Sequence, residues 1–202
     1  MTIETNWYVM DNKAGVNLNA VVTSVTVTNN PTQPEYPGIP HQLGDRVQGN
    51  NGSEWLFVVA STTVTAFNYV VVDRNYLANN ATSTLIASNV YTYGFAEFQP
   101  LNGVTAGSAS GGVANPGDCF WALIKVAHSA RVNVTASVSV AAGAALYISP
   151  SIPGFLTTSA TASRINGIVV PVSASGGGDI TVTEVGMFTY VTPAVNISVL
   201  SV

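Results

Sequence analysis

Val132-Asn-Val-Thr-Ala-Ser-Val-Ser-Val140 has an apolar residue at 132, 134, 136, 138 and 140 and a polar residue or serine-threonine hydroxyl between each pair. Successive side chains of a strand point to opposite faces, so this period of two predicts a strand of about 30 Å. Val132, Val134, Val138 and Val140 would share the buried face, with Asn133, Thr135, Ser137 and Ser139 on the other. Val25-Thr-Val-Thr28 and Val195-Asn-Ile-Ser-Val199 repeat the alternation on a shorter scale.

Other segments are apolar without a break. Trp55-Leu-Phe-Val-Val-Ala60, Tyr69-Val-Val-Val72 and Ile168-Val-Val170 suit strands covered on both faces. Turn chemistry falls between the runs, at Asn50-Asn-Gly-Ser53, Asn79-Asn80, Pro150-Ser-Ile-Pro-Gly154 and Gly176-Gly-Gly-Asp179. Many short runs with such punctuation predict an all-β fold, a sandwich or barrel of short antiparallel strands.

Residues 1–44 are different. Asn29-Asn-Pro-Thr-Gln-Pro-Glu-Tyr-Pro-Gly-Ile-Pro40 carries four prolines and cannot be a central strand. The region reads as an extended N-terminal arm with a short strand around 20–28, followed by a β-rich domain over 45–202 that starts near Leu43-Gly-Asp45. Within that domain two blocks, about 45–101 and 116–175, are joined by a Gly/Ser/Ala stretch at 102–115 that reads as an exposed loop. Each block passes from a tryptophan-led strand (Trp55, Trp121) to a second aromatic strand and a closing Gly-apolar strand (Gly94, Gly167). Two explanations stay open: a duplicated β unit, or the chance likeness of sheet sequences drawn from few residue types.

Composition narrows function. Only 8% of residues are charged against 47% apolar, about a third of the charge usual in a soluble domain. Hydroxyls and amides provide the polar surface instead, a coat common on extracellular and viral β proteins. Six cations spread along a chain of net charge −4 cannot supply the phosphate contacts of a nucleic-acid binder. No apolar run reaches the length of a membrane span. Met1-Thr-Ile-Glu-Thr-Asn-Trp-Tyr8 shows neither the basic start nor the apolar run of a signal peptide, which leads us to expect synthesis in a host cytoplasm. Cys119 is the one cysteine and is read as a small buried apolar residue.

No catalytic signature stands out, so no enzyme, metal or cofactor is expected. His41 and His128 are far apart in sequence, and zinc, calcium and P-loop motifs are absent. Gly107-Ser-Ala-Ser-Gly111 has Ala109 where a nucleophile elbow needs serine. Asp73, Glu97, Asp118, Asp179 and Glu184 are scattered singly, and a glycosidase-type pair would need two of them to converge. The aromatics offer more. Trp7 and Tyr8 in the arm and Tyr36 in the proline segment are the candidate partner-binding residues, since tryptophan and tyrosine dominate interface hot spots. The competing reading has the arm folding back over an edge of its own sheet. Tyr91 and Tyr93 form a second aromatic group.

The stretch His41-Gln-Leu-Gly-Asp-Arg-Val-Gln-Gly-Asn-Asn-Gly-Ser-Glu-Trp-Leu-Phe-Val-Val-Ala60 resembles the capsid decoration proteins (head-stabilising or cement proteins) of tailed bacteriophages. The likeness continues in Cys119-Phe-Trp-Ala-Leu-Ile-Lys-Val126, Ala145-Leu-Tyr-Ile-Ser-Pro-Ser-Ile-Pro-Gly-Phe-Leu-Thr157 and Ile165-Asn-Gly-Ile-Val-Val170. It covers roughly 41–172 and implies a hairpin at Leu146–Thr157, a further strand at Gly167–Val169, and a virion protein on the capsid exterior. The implied partners are the major capsid protein and other copies of the chain, as a homotrimer. Two alternatives belong to other classes: a fibre or receptor-recognition domain binding host glycans, and a jelly-roll shell protein.

So little charge is a solubility hazard on a fully exposed monomer. Sedimentation at micromolar concentration should therefore show a closed oligomer, a trimer of the 20.9 kDa chain. A monomer alone would contradict this.

Overall fold

The computed structural model describes residues 18, 21–22, 41–49, 52–85, 90–98, 112–127, 130–135, 139–160, 163–174, 178–184 and 190–192. Among these the regular structure is strand, apart from a 3₁₀ residue at Leu85. One seven-stranded sheet is built from β1 (Val21–Val22), β2 (Arg46–Gln48), β3 (Glu54–Ala60), β5 (Tyr69–Asp73), β6 (Leu77–Asn80), β7 (Val90–Phe95) and β9 (Cys119–Lys125). A two-stranded ribbon joins β4 (Val64–Thr65) to β8 (Val113–Ala114). The second seven-stranded sheet holds β10 (Ala130–Val134), β11 (Leu146–Ile148), β12 (Leu156–Thr157), β13 (Arg164–Asn166), β14 (Ile168–Val169), β15 (Gly178–Glu184) and β16 (Tyr190–Thr192).

The first sheet closes on itself. Its order β9-β7-β5-β6-β3 is completed by a β3–β9 pairing with Phe57 opposite Trp121, making a five-stranded ring. β3 and β6 are parallel; the other pairs of the ring are antiparallel.

Closure explains the unbroken apolar runs. Leu56, Val58, Ala60, Val70, Val72, Phe120, Ala122 and Ile124 form one buried cluster. These eight come from alternate positions of the ring strands, and with Phe98, Val64 and Ala114 from the flanking segments they fill the ring's interior. The intervening residues, Trp55, Phe57, Tyr69, Val71, Cys119, Trp121 and Leu123, pack outward against Val132, Val134, Leu146, Ile148, Leu156 and Ile165 of the second sheet. Both parities of β3, β5 and β9 are thus buried, one in the barrel and one in the layer between the sheets.

Several readings of the sequence are corrected here. Val132, Val134 and Val140 are buried while Ser139 is exposed, but β10 ends at Val134 and Val140 makes a separate bridge to Ala174. Residues 136–138 lie outside the described set, as do Val25–Thr28 and Val195–Val199. Asn79-Asn80 is strand rather than turn, opposite Val71 and Val70, and the turn falls at Arg74–Tyr76. Ile168–Val169 is not a doubly covered strand, since Val169 is exposed. Val113–Ala114, expected in a loop, pairs with β4. Gly178-Asp179 opens β15 instead of making a turn.

Organisation also differs from the sequence blocks. Every strand up to β9 belongs to the first sheet or its ribbon and every later one to the second, so the change of sheet falls between Lys125 and Ala130. The tryptophan-led strands of the two blocks are neighbours in one ring. Nor does the compact fold begin at Leu43: Leu18 is buried in the core, and β1 pairs with β9 through Val21 opposite Phe120. The hairpin implied by the resemblance forms, with Tyr147 opposite Thr157 across the Pro150–Gly154 turn.

Gly154 tests the packing where the sheets meet. Its φ is +80°, and a Cβ there would lie 2.6 Å from the Asn68 amide nitrogen. Gly154→Ala should cost about 2–4 kcal/mol, combining backbone strain with a displaced buried amide. Gly143→Ala, also at positive φ but with nothing within 4 Å, should cost only about 1–2 kcal/mol. Urea unfolding of the two variants checks the difference.

Candidate functional site

Two polar regions stand out, at opposite ends of the five-stranded ring. At one end the ring meets β10. Phe67 turns the chain into β5 with φ +66°, a conformation that costs a bulky residue about 1–3 kcal/mol. Its backbone is held on both sides: its N–H donates to Ala96 O at 2.7 Å, and its carbonyl accepts from Asn133 N at 2.9 Å. The Arg131 guanidinium lies 4.0 Å above its ring.

Beside it runs a chain of amides. Asn133 Nδ2 donates to Ala66 O and to Asn68 Oδ1, both at 2.8 Å. Asn68 Nδ2 donates to Asn80 Oδ1, and Asn80 Nδ2 to Thr63 O, each again at 2.8 Å. Buried Glu97 accepts from Arg131 N. This end is an internal joint between the sheets.

At the other end the polar groups face water. Arg46 on β2 donates from Nη1 to Glu54 Oε1 and from Nη2 to Tyr91 Oη, both at 2.7 Å. Burial acts to lower the guanidinium pKa, but the bonds to Glu54 and Tyr91 outweigh it and hold it above its ordinary value. Tyr76, at φ +62°, sets its ring edge-on to Tyr91 with centroids 5.8 Å apart. That placement depends on Gly44, where a Cβ would fall 2.4 Å from Tyr76 Cζ. Tyr91 is 44% exposed.

The residues singled out in the sequence divide accordingly. Trp7, Tyr8, Tyr36 and His128 lie outside the described residues. Tyr93 does not join Tyr91 on the surface: its ring stacks on buried Tyr69 at 6.0 Å, and burial pushes its pKa up. His41 packs edge-on against Phe57 and Trp121, 4.0 Å from the Asp45 carboxylate. Asp73 Oδ1 accepts from the backbone of Asn75 and Leu77, and Asp118 Oδ2 from Asn115 N, so both carboxylates organise turns. Among the described residues, no three of His, Cys, Asp and Glu gather as a metal-ligand set.

Arg46, Glu54 and Tyr76 were not selected from the sequence. A register signal was available for the first two: a hairpin about Asn50–Ser53 puts Gln48 opposite Glu54 and Arg46 opposite Leu56, so Arg46 and Glu54 share a face. Tyr76 had no such signal, because its role rests on a left-handed backbone. No protein-family model matches the chain, and no curated protein matches it either.

Cys119 is buried in the core with its thiol pKa raised, first by burial and then by the Asp118 charge. The thiolate is the reactive form, so labelling by a thiol reagent at pH 8 should be at least about 100-fold slower in the native protein than in denaturant. Native labelling as fast as in denaturant would place the thiol at the surface.

Proposed function

We propose that the chain is a structural virion protein that binds the outer surface of a phage capsid and stabilises the shell by bridging capsomers. The observation that carries this reading is a chain only 8% charged whose polar residues are mainly hydroxyls and amides, groups that can be buried against protein without stranding unpaired ions. The stretches that resemble decoration proteins support it. The carboxylates of Asp73, Asp118 and Glu97 are engaged with backbone N–H groups, a structural use.

The mechanism is interface burial. A contact of about 1,600 Å² at ~25 cal/mol per Å² gives a gross driving force of tens of kcal/mol. Ordering and lost rigid-body freedom consume most of it. A trimer touching several shell subunits recovers affinity through effective concentration. In this reading Trp7, Tyr8 and Tyr36 anchor the arm on the major capsid protein or a neighbouring copy.

Co-sedimentation with undecorated capsids, followed by a cryo-EM map of the particles, tests the proposal. Expected are saturable binding and density as caps on the outer shell. Density at a tail tip or as the shell lattice would overturn it. Deleting residues 2–12 should leave the β circular-dichroism spectrum unchanged and weaken attachment at least about tenfold. Undiminished attachment of that folded truncation would remove the anchor role from Trp7 and Tyr8.

A further inference from the structure

Strand direction decides what stands at each end of the ring. β3, β6 and β7 run one way and β5 and β9 the other. One end therefore collects Ala60, Asn80, Phe95, Tyr69 and Cys119, and beside it Phe67 and Asn68 are tied to β10. The opposite end collects the first residues of β3, β6 and β7 and the last of β5 and β9. Glu54 and Tyr91 stand there, with Tyr76 in the turn entering β6 and Arg46 alongside on β2. Tyr76 also packs against the cluster that fills the ring, so its ring stoppers the interior while Tyr91 remains exposed above it.

We propose that this end of the barrel is a carbohydrate site, binding one neutral pyranose ring of a glycan against Tyr91. A pyranose pairs an apolar C–H face with a rim of vicinal hydroxyls, so it needs an exposed aromatic face beside fixed donors and acceptors. Tyr91, 44% exposed, supplies the face, held in place by the Tyr76 edge and by Arg46, whose guanidinium bonds the hydroxyl and stands over the ring at 5.7 Å from its centroid, so a sugar stacks on the part of the ring that these two leave exposed. Among the described residues Arg46 gives one N–H to Glu54 and one to Tyr91, and its other guanidinium donors can serve the sugar. Glu54 accepts from Arg46 through Oε1, and among the described residues no donor reaches its Oε2, which can accept from the sugar. Tyr91 Oη accepts from Arg46 and retains its own O–H to donate.

Charge selects a neutral ligand. Arg46 is paired with Glu54 at 2.7 Å, so the charge beside Tyr91 is balanced within the site and neither a phosphate nor a cation gains net attraction from that pair. An apolar peptide would have to strip water from the Arg46–Glu54 pair without replacing its hydrogen bonds. Mouths of β-barrels are recurrent sites for small ligands. The site is independent of capsid attachment, so either idea can fail without the other.

Saturation-transfer NMR of the full chain with the methyl glycosides of glucose, galactose, mannose and N-acetylglucosamine tests this. At least one should show transfer to its ring C–H protons, with a Kd on the order of 1 mM. Tyr91→Ala should weaken that binding at least about tenfold, Tyr91→Phe about threefold through loss of the hydroxyl alone, and Glu54→Gln several-fold. Urea unfolding of each variant confirms the fold, and Tyr91→Phe and Glu54→Gln carry the test if Tyr91→Ala unfolds. The proposal is overturned if no glycoside shows transfer at about 10 mM, or if the folded Tyr91 and Glu54 variants bind as the parent does. It is equally overturned if Tyr91→Ala abolishes capsid co-sedimentation while the parent binds no glycoside, which would make the patch a protein contact.

Discussion

The side chain of Asn68 is the point at which the two sheets become one structure. It sits 3% exposed, accepting from Asn133 of the second sheet and donating to Asn80 of the first. A buried amide left without a partner costs about 1–3 kcal/mol, whereas one made bond returns only about 1 kcal/mol. The penalty for a wrong alignment is therefore larger than the reward for the right one. Sliding β10 by one residue would turn Asn133 away from Asn68 and the valines out of the core together. The apolar layer supplies attraction but tolerates many arrangements; the amide chain selects one of them.

Phe67 follows from the same requirement. For its carbonyl to receive Asn133 N while Asn68 points into the joint, the chain must reverse within two residues, and φ +66° does this. The left-handed backbone persists because it is held by two backbone hydrogen bonds and the Arg131 guanidinium above the ring. From Asn68 the chain enters β5, whose Tyr69 and Val71 meet the second sheet while Val70 and Val72 fill the ring. Local strain at one residue thus sets which parity of β5 faces which core.

Much of this was legible in the residues, for identifiable reasons. Burial on both faces removes alternation, so the unbroken runs at Trp55–Ala60 and Tyr69–Val72 announced strands with two covers. The Val132 alternation fixed the inward face of β10, although not its end. Asn79-Asn80 misled because asparagine favours turns when solvated; here Asn80 finds Asn68 and Thr63 instead of water, and a tertiary partner overrides local preference. Ring closure between β3 and β9 could not be read, since a pairing between Val59 and Cys119, or between Glu54 and Lys125, so far apart in the chain leaves no local trace. The exposed end of the ring was half legible. Tyr91 stood out as part of an aromatic group with Tyr93, but Arg46 and Glu54 become a pair only when the hairpin register is known.

The scarcity of charge gives the few charges present a particular weight. A surface pair such as Arg46–Glu54 ordinarily contributes little, because water and salt screen it and two long side chains must be held in one geometry. Here that geometry is already held, because the pair is tied to Tyr91, whose ring is braced by Tyr76 and so indirectly by Gly44. Each side chain restricts the next, so much of the ordering entropy is spent on folding before any ligand arrives. The same economy governs the opposite end of the ring, where fixed amides hold protein against protein. Closure of the barrel is what separates the two: it places one set of oriented polar groups inside the molecule and leaves the other facing out, rigid and unburied.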